Sequence, residues 1–301
     1  MNTASLVIFG EVLFDHFPDG ARVLGGAPFN VAWHLQAFGQ APVFVSRVGE
    51  DQEGEAIRDA MESWGMATQG LQTDPQLPTG RVEVRIVEGE PRYEILHPAA
   101  FDAISAPDAS AAIPQPIGLL YHGSLALRRE RSIEALKTIR TSRPGTVFVD
   151  VNLRAPWWQQ ESVLNLADAA DWVKLNHHEL DWLYPSRAGQ DGQARRFMAE
   201  HQLDGLLLTH GEEGAELFTR GGLSDTIKPN QNIEPVDTVG AGDAFTSVFI
   251  LGLVSDWPRN LTLARAQTFA SAVCSYRGAT TREPEFYRPF LHDWLGPVNR
   301  P

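Results

Sequence analysis

The chain has 301 residues, of which 43% are apolar, and these values fit one large α/β domain or two modest ones. The formal net charge of −13 argues against a nucleic-acid backbone as the partner, because holding a row of phosphates requires a basic surface. None of the three lysines follows a glycine, so the phosphate-binding loop of the Walker A type is absent.

The N-terminal segment is predicted to be a buried strand without a targeting signal. Leu6-Val7-Ile8-Phe9 is a short apolar run that ends at Gly10, as in a parallel sheet, and it is too short for a signal core. No apolar run is long enough to cross a bilayer, and the single cysteine, Cys274, has no partner for an intramolecular disulfide. We therefore expect a cytoplasmic protein with no membrane partner.

A glycine cluster precedes the first predicted helix. After Gly25-Gly26-Ala27-Pro28-Phe29-Asn30, the apolar residues Val31, Leu35 and Phe38 recur at helical spacing, and Gly39 follows as a C-cap. A strand is predicted next, and then an amphipathic helix over residues 51–64. Taken alone, the two glycines are also typical of a flexible turn.

Residues 81–96 change the period of the pattern. Val82, Val84 and Ile86 alternate with charged residues, which indicates a half-exposed strand. A predicted turn at residues 88–91, which includes Glu88 and Gly89, leads into a second strand. Because this hairpin interrupts alternating strands and helices, we expect it to leave the main sheet, where it covers a ligand, forms a dimer contact, or does both.

Polar residues follow the later predicted strands. Strands are predicted at 117–123, 146–150 and 172–176, a strand and turn at 204–211, and helices at 130–140 and 261–276. The strand at 146–150 runs into Asp150-Val151-Asn152-Leu153-Arg154, and α/β folds bind ligands at such strand ends. The alternation predicts one doubly wound, mostly parallel sheet flanked by helices.

One glycine-rich stretch predicts an anion site. In Asp237-Thr238-Val239-Gly240-Ala241-Gly242-Asp243-Ala244-Phe245, helical spacing begins at Ala244, so the glycines form the turn that opens a helix. The first amides of a helix have no partner inside it and hold anions, and glycine lets a ligand approach the backbone. Asp243 lies in the first turn, although an acidic residue is favourable there in an ordinary capped helix as well.

Two stretches resemble the signatures of the ribokinase (PfkB) family of sugar kinases. Residues 237–245 resemble its C-terminal signature, and Gly-Gly-Ala-Pro-Phe-Asn-Val-Ala at residues 25–32 resembles its N-terminal signature in the form typical of fructokinases. The family commonly has alanine where this chain has Phe29, and we expect the larger ring to narrow or reshape the sugar pocket.

The resemblance covers nearly the whole chain and implies an architecture. It implies a single ribokinase-like α/β domain over residues 1–301, with a small β-lid formed by about residues 11–24 and 80–100. In this family one lid often both covers the sugar and joins two copies, so we expect a possible homodimer through the lid.

The resemblance also implies an ATP-dependent sugar kinase with fructose as the sugar and its 6-hydroxyl as the acceptor. The amides of Gly240, Ala241 and Gly242 would form the anion hole for the transferred phosphate, and Asp243 would be the catalytic base. The residues implied for sugar binding are Asp15, Gly26, Asn30 and Arg154.

The same resemblance implies a nucleotide site and its ions. The residues implied for ATP are Asn176, Thr209, Gly211 and Gly278. Glu179 would help to hold Mg²⁺ through water, since magnesium keeps several of its waters, and Asp237 would lie at a site for K⁺. Asn176 and Glu179 also fit a capping box, and the two interpretations are compatible.

Three alternatives remain open at this point. One is a kinase for another sugar, such as ribose or 2-keto-3-deoxygluconate. A second is a non-catalytic sugar- or nucleotide-binding regulator, which would not need to retain the base Asp243. The third is a dinucleotide-binding dehydrogenase, which is disfavoured because no Gly-x-Gly-x-x-Gly follows the first strand.

Overall fold

The computed structural model describes residues 4–87, 90–186, 189–229 and 235–296. The strands are β1 Ser5–Phe9, β2 Leu13–His16, β3 Arg22–Gly25, β4 Val43–Gly49, β5 Leu71–Asp74, β6 Gly80–Val87, β7 Glu90–Ile95, β8 Ile117–His122, β9 Thr146–Asp150, β10 Trp172–Asn176, β11 Gly205–Thr209, β12 Ala215–Thr219 and β13 Gly222–Ile227. The helices are α1 Ala27–Ala37, α2 Gln52–Ser63, α3 Ala106–Ala112, α4 Glu130–Arg140, α5 Gln160–Ala167, α6 His177–Leu183, α7 Gly189–Glu200, α8 Ala241–Val254, α9 Arg259–Val273 and α10 Pro284–Leu295.

The larger sheet has nine strands within the described residues, in the order β13-β12-β11-β10-β9-β8-β1-β4-β5. The strands from β5 to β11 in this order pair in parallel, and β12 pairs antiparallel with both of its neighbours. The chain leaves β1 first toward β4 and later toward β8, so the strand order reverses between β1 and β8. Open α/β sheets bind ligands at the carboxyl edge beside such a reversal.

Helices cover both faces of this sheet because its central strands are apolar on both sides. Ile8 of β1 packs into the core that contains Phe249 of α8 and Phe269 of α9. Its neighbour Phe9 points to the opposite face, into a core with Leu136 of α4. The doubly wound, mostly parallel sheet predicted from the sequence is therefore confirmed.

The smaller sheet has the order β3-β2-β6-β7. It is assembled from two distant segments, because β2 pairs in parallel with β6, beginning at Leu13 and Gly80. The alternating pattern predicted for the hairpin is confirmed over the first part of β6, where Val82 and Val84 are buried. It fails at Ile86, which was predicted to share their face and is 58% exposed. The turn predicted at Glu88 and Gly89 lies outside the described residues.

Several elements differ from the sequence prediction. Asp51, predicted as helical, is the N-cap of α2 and accepts a 2.8 Å hydrogen bond from the Gly54 amide. The helix predicted over residues 261–276 is α9, which begins earlier and ends at Val273. The hairpin of β12 and β13 and the full length of α10 were not predicted. No helix in the described parts of the chain is long and apolar enough to span a membrane.

Candidate active site

The predicted anion turn is the start of α8. Gly240 is its N-cap with φ of +80°, and a Cβ at this position would lie 2.3 Å from the Cβ of Ala279. Only glycine fits both the left-handed backbone and the close approach. The amide of Ala241 donates a long hydrogen bond of 3.3 Å to the carbonyl oxygen of Thr238. Because the first-turn amides of a helix lack partners within the helix, those of Gly242 and Asp243 are suited to hold an anion ahead of α8. The structure thus confirms a helix that opens at this turn with Asp243 in its first turn.

Asp243 is joined directly to the helix of the other glycine cluster. Its Oδ2 accepts a 2.7 Å hydrogen bond from Nδ2 of Asn30, a residue in the first turn of α1 and 213 positions earlier in the chain. Burial raises the pKa of Asp243 to about 6, opposed first by this hydrogen bond. The negative charge of Asp150 also raises the pKa of Asp243, while the charges of Lys174 and Arg154 lower it. Asp243 remains partly exposed, so its carboxyl can meet a ligand.

The residues expected to bind the sugar converge on the same place. Asp15 lies on β2, and a Cβ at the neighbouring Gly25 would be 3.8 Å from its Oδ2. Gly26 has φ of +112°, and a Cβ there would be 2.7 Å from the backbone oxygen of Glu11, so the backbone is closely packed before α1. Burial raises the pKa of Asp15, and the charge of Arg154 opposes this effect. The charge of Arg154 lowers the pKa of both Asp15 and Asp243, so Arg154 lies within electrostatic range of both carboxyls.

The residues expected to bind the nucleotide lie along the neighbouring strand ends. Asn176 and Thr209 are register partners at the ends of β10 and β11. Gly211 follows Thr209 with φ of +60°, and a side chain there would meet nothing within 4 Å. Gly278 lies elsewhere in the sequence, but it precedes Ala279, which packs on Gly240. Gly278 therefore lies beside the start of α8, while Asn176 and Thr209 lie together at the adjacent ends of β10 and β11.

The two acidic residues expected near ions are both held by backbone amides. Glu179 forms a capping box with Asn176, and its second oxygen accepts a 2.7 Å bond from the amide of Leu153. Burial raises the pKa of Glu179, and these amide contacts oppose that effect. Asp237 accepts bonds from the amides of Val239 at 3.0 Å and Gly278 at 2.9 Å.

The model of the pfkB family carbohydrate kinases matches residues 6–285. The chain belongs to the pfkB family of carbohydrate kinases. The fructokinase of Klebsiella pneumoniae is 32% identical over 301 residues, covering 92% of this chain and 95% of that protein. A fructokinase structure from Vibrio cholerae O395 with fructose, ADP and calcium bound has a TM-score of 0.79 at 25% identity and covers 95% of this chain and 98% of that one.

A second solved structure is similar and carries a different substrate. The aminoimidazole riboside kinase of Salmonella enterica, bound to aminoimidazole riboside and an ATP analogue, has a TM-score of 0.76 at 25% identity. The match covers 95% of this chain and 99% of that one. These relatives and the family match identify this pfkB carbohydrate kinase as an ATP-dependent sugar kinase with the ribokinase-like fold.

One expectation about the pocket was wrong. Phe29, predicted to narrow or reshape the sugar pocket of this pfkB kinase, is fully buried in the core, so its ring does not line a pocket. Its ring packs against Trp33 and Phe44 at centroid distances of 5.7 and 5.6 Å. The first turn of α1 directs Asn30 toward Asp243 and turns the adjacent Phe29 into the core, because neighbouring helix positions point about 100° apart.

The prediction from sequence gave no role to the buried residues Glu11 and Lys174 of this pfkB kinase, and it named Asp150 only as part of a polar strand end. Glu11 follows β1, is 3% exposed and has one carboxyl oxygen without a hydrogen-bond partner, and burial raises its pKa to about 7. Asp150 and Lys174 form a 2.7 Å ion pair on neighbouring strands. A lysine inside the apolar strand Trp172-Val173-Lys174-Leu175 was an available signal, because buried lysines are rare unless they are paired.

Proposed function

We propose that this kinase transfers the γ-phosphoryl group of ATP to the 6-hydroxyl of fructose, with Asp243 as the base. The hydrogen bond between Asn30 and Asp243 carries this proposal, because it joins the helix of the sugar signature to the helix of the anion turn. Fructose is the sugar bound in the similar Vibrio cholerae enzyme, and the Klebsiella pneumoniae relative is a fructokinase. The Gly-Gly-Ala-Pro-x-Asn-Val-Ala pattern at residues 25–32 supports the same substrate.

The proposed chemistry assigns two tasks to the start of α8. The ionised carboxyl of Asp243 accepts the proton of the attacking hydroxyl, and a pKa of about 6 leaves about nine tenths of it ionised at neutral pH. The amides of Gly240, Ala241 and Gly242 donate hydrogen bonds to the charge that develops on the transferred group. Phosphoryl transfer requires mainly such positioning and charge stabilisation.

Asp15, Gly26, Asn30 and Arg154 are proposed to hold the sugar. Asp15 and Asn30 offer an acceptor and an amide, and Arg154, which is exposed, offers donors beside both Asp15 and Asp243. The unpaired Oδ1 of Asn30 is an acceptor in the same region. Together these groups fix one hydroxyl next to Asp243 and leave the remaining hydroxyls paired.

Asn176, Thr209, Gly211 and Gly278 are proposed to hold ATP, and the acidic residues fit its ions. Both oxygens of Glu179 accept backbone bonds, so the carboxylate is suited to hold water ligands of Mg²⁺ rather than the ion itself. Magnesium bound with ATP neutralises charge on the triphosphate. Asp237 is held by the amides of Val239 and Gly278, and its carboxylate is proposed to lie near a K⁺ ion beside the anion turn.

We further propose that residues 1–301 form one domain in which the smaller sheet is a lid and a dimer surface. Ile86 and Tyr93 on this sheet are 58% and 56% exposed, as apolar side chains covered by a second copy would be. Bound fructose should slow amide hydrogen exchange in β6 if the sheet closes on the sugar. The double variant Ile86→Glu, Tyr93→Glu should halve the mass measured by light scattering, and an unchanged mass would contradict the dimer. We also propose that the protein is cytoplasmic.

A kinase for another sugar is the second candidate, because a riboside kinase shares this fold at 25% identity. The deciding experiment measures ADP release with ATP and fructose, ribose, glucose, 2-keto-3-deoxygluconate or aminoimidazole riboside. We expect the highest kcat/KM with fructose. A clear preference for a riboside or an acid sugar would contradict the fructose assignment, and sugar binding without ADP release would contradict the catalytic role itself.

A further inference from the structure

A buried ion pair lies beneath the anion turn. Lys174 and Asp150 are register partners on β10 and β9, and Nζ of Lys174 is 2.7 Å from Oδ2 of Asp150. The two residues are 8% and 1% exposed. The same oxygen of Asp150 accepts a 2.9 Å hydrogen bond from the hydroxyl of Thr246 on α8. Asp150 therefore ties the strand that carries Lys174 to the helix that carries Asp243.

The ammonium group of Lys174 lies close to the turn itself. A Cβ built at Gly242 would be 3.5 Å from Nζ of Lys174, so the positive charge sits under the first turn of α8. The hydroxyl of Thr246 also lies 2.9 Å from the carbonyl oxygen of Gly242. Both observations concern Gly242, the residue that precedes Asp243. Thr246 contacts the backbone expected to meet the phosphoryl group, and the ammonium group of Lys174 lies near it.

Stability alone does not explain such a pair. The desolvation of two buried charges offsets much of their attraction, and apolar residues of similar size are often as stable or more stable. A role in placing charge accounts for the pair, because both members act on Asp243 with opposite signs. The other groups facing Asp243 are Asn30 and Arg154, and Glu11 and Tyr121 are electrostatically coupled to it.

We propose, on the basis of the role given above to Asp243, that Lys174 and Asp150 are positioning residues. Anchored by Thr246, they hold the first turn of α8 and set the charge that the catalytic aspartate and the transferred phosphoryl group meet. Neither residue exchanges a proton with the sugar. Lys174 supplies positive charge from below the turn, and Asp150 limits how much of that charge reaches Asp243.

Opposite effects of the two partners form the test. Lys174→Met removes a charge that lowers the pKa of Asp243, so the acid limb of kcat should move to higher pH. Asp150→Asn removes a charge that raises the pKa of Asp243, so the acid limb should move to lower pH. The ratio of kcat near pH 5.5 to kcat near pH 8 should fall at least about twofold in the first variant and rise about twofold in the second.

The experiment measures kcat against pH, with saturating ATP and fructose, for the wild-type protein, the two single variants, the double variant and Lys174→Arg. The double variant lacks both charges of the pair, whose effects on the pKa of Asp243 oppose each other, so its acid limb should lie near that of the wild type. Its kcat should still fall at least about tenfold at all pH values, which is one lost interaction of about 1.4 kcal/mol at the transition state. The dissociation constant of fructose in the double variant should stay within about threefold of the wild-type value. Lys174→Arg keeps the positive charge and should have a higher kcat than Lys174→Met.

Equal losses of kcat in both single variants with an unchanged pH ratio would overturn the proposal, as would shifts in the same direction. If the single variants do not fold, the double variant, in which neither member of the pair is charged, decides, and wild-type kcat in that variant overturns the proposal. Asp243→Asn, measured in parallel, separates the two levels. An active Asp243→Asn enzyme contradicts the proposed base, whereas an inactive one with unshifted single variants contradicts only the role of the pair.

Discussion

Replacing Asp243 by asparagine separates a catalytic base from a helix-capping acid. Asparagine is nearly isosteric, and its carbonyl oxygen can still accept the 2.7 Å hydrogen bond from Asn30. Its amide cannot accept the proton of a sugar hydroxyl. The substitution therefore removes the proposed chemistry and keeps the contact that joins α1 to α8.

The loss of a catalytic base and the loss of a helix-capping acid have different expected sizes. General-base catalysis contributes about 10²–10⁴-fold, so kcat should fall at least about a hundredfold. As an acid at a helix N-terminus, Asp243 contributes about 0.3–1 kcal/mol to stability. Burial opposes its ionisation and Asp150 repels its charge, so the neutral variant should lose little of this or even gain stability.

The assay measures kcat with saturating fructose and ATP, the dissociation constant of fructose and the melting temperature of the same preparation. Asp108→Asn is a matched control, because Asp108 is an exposed acid in the first turn of α3. The control should keep wild-type kcat and change the melting temperature only slightly. If Asp243→Asn keeps more than about a tenth of wild-type kcat, well short of the general-base range, Asp243 is not the base.

Three further perturbations test other contacts. Asn30→Leu removes a hydrogen bond that lowers the pKa of Asp243, so kcat near pH 6 should fall more than kcat near pH 8; a uniform loss would contradict this. Gly240→Ala places a Cβ against the side chain of Ala279 at φ of +80°, whereas the Cβ of the control Gly20→Ala, at φ of +86°, meets nothing within 4 Å. Both variants carry the same backbone cost of about 1–2 kcal/mol. The melting temperature should therefore fall more in Gly240→Ala, and equal losses in the two variants would contradict the packing argument. Burial lowers the pKa of His122 from 6.5 to about 4, so between these pH values the folded state binds fewer protons than the unfolded state. The free energy of unfolding therefore decreases as the pH drops, and His122 accounts for a decrease of about 2 kcal/mol at pH 5. His122→Asn keeps a donor for the neighbouring backbone oxygen and should flatten the decrease of melting temperature between pH 7 and 5, and an equal slope would show that His122 does not cause it.

Local features of the chain were readable from the sequence because they depend on neighbouring residues. The apolar run before Gly10 specified a buried strand, and helical spacing after Gly242 specified where α8 begins. Alternation over residues 82–86 predicted the half-exposed strand of the smaller sheet. In each case the period of apolar residues must match the geometry of one element, so a short window contains the information.

Contacts between distant segments were decided by the tertiary structure. Asn30 meets Asp243 across 213 residues, and Lys174 meets Asp150 only because β10 lies beside β9 in a particular register. Phe29 and Asn30 are adjacent in the sequence, which offers no means to tell that the ring of Phe29 turns into the core. Strand order, register and side-chain direction result from packing the whole apolar surface at once, so no single stretch of sequence determines them.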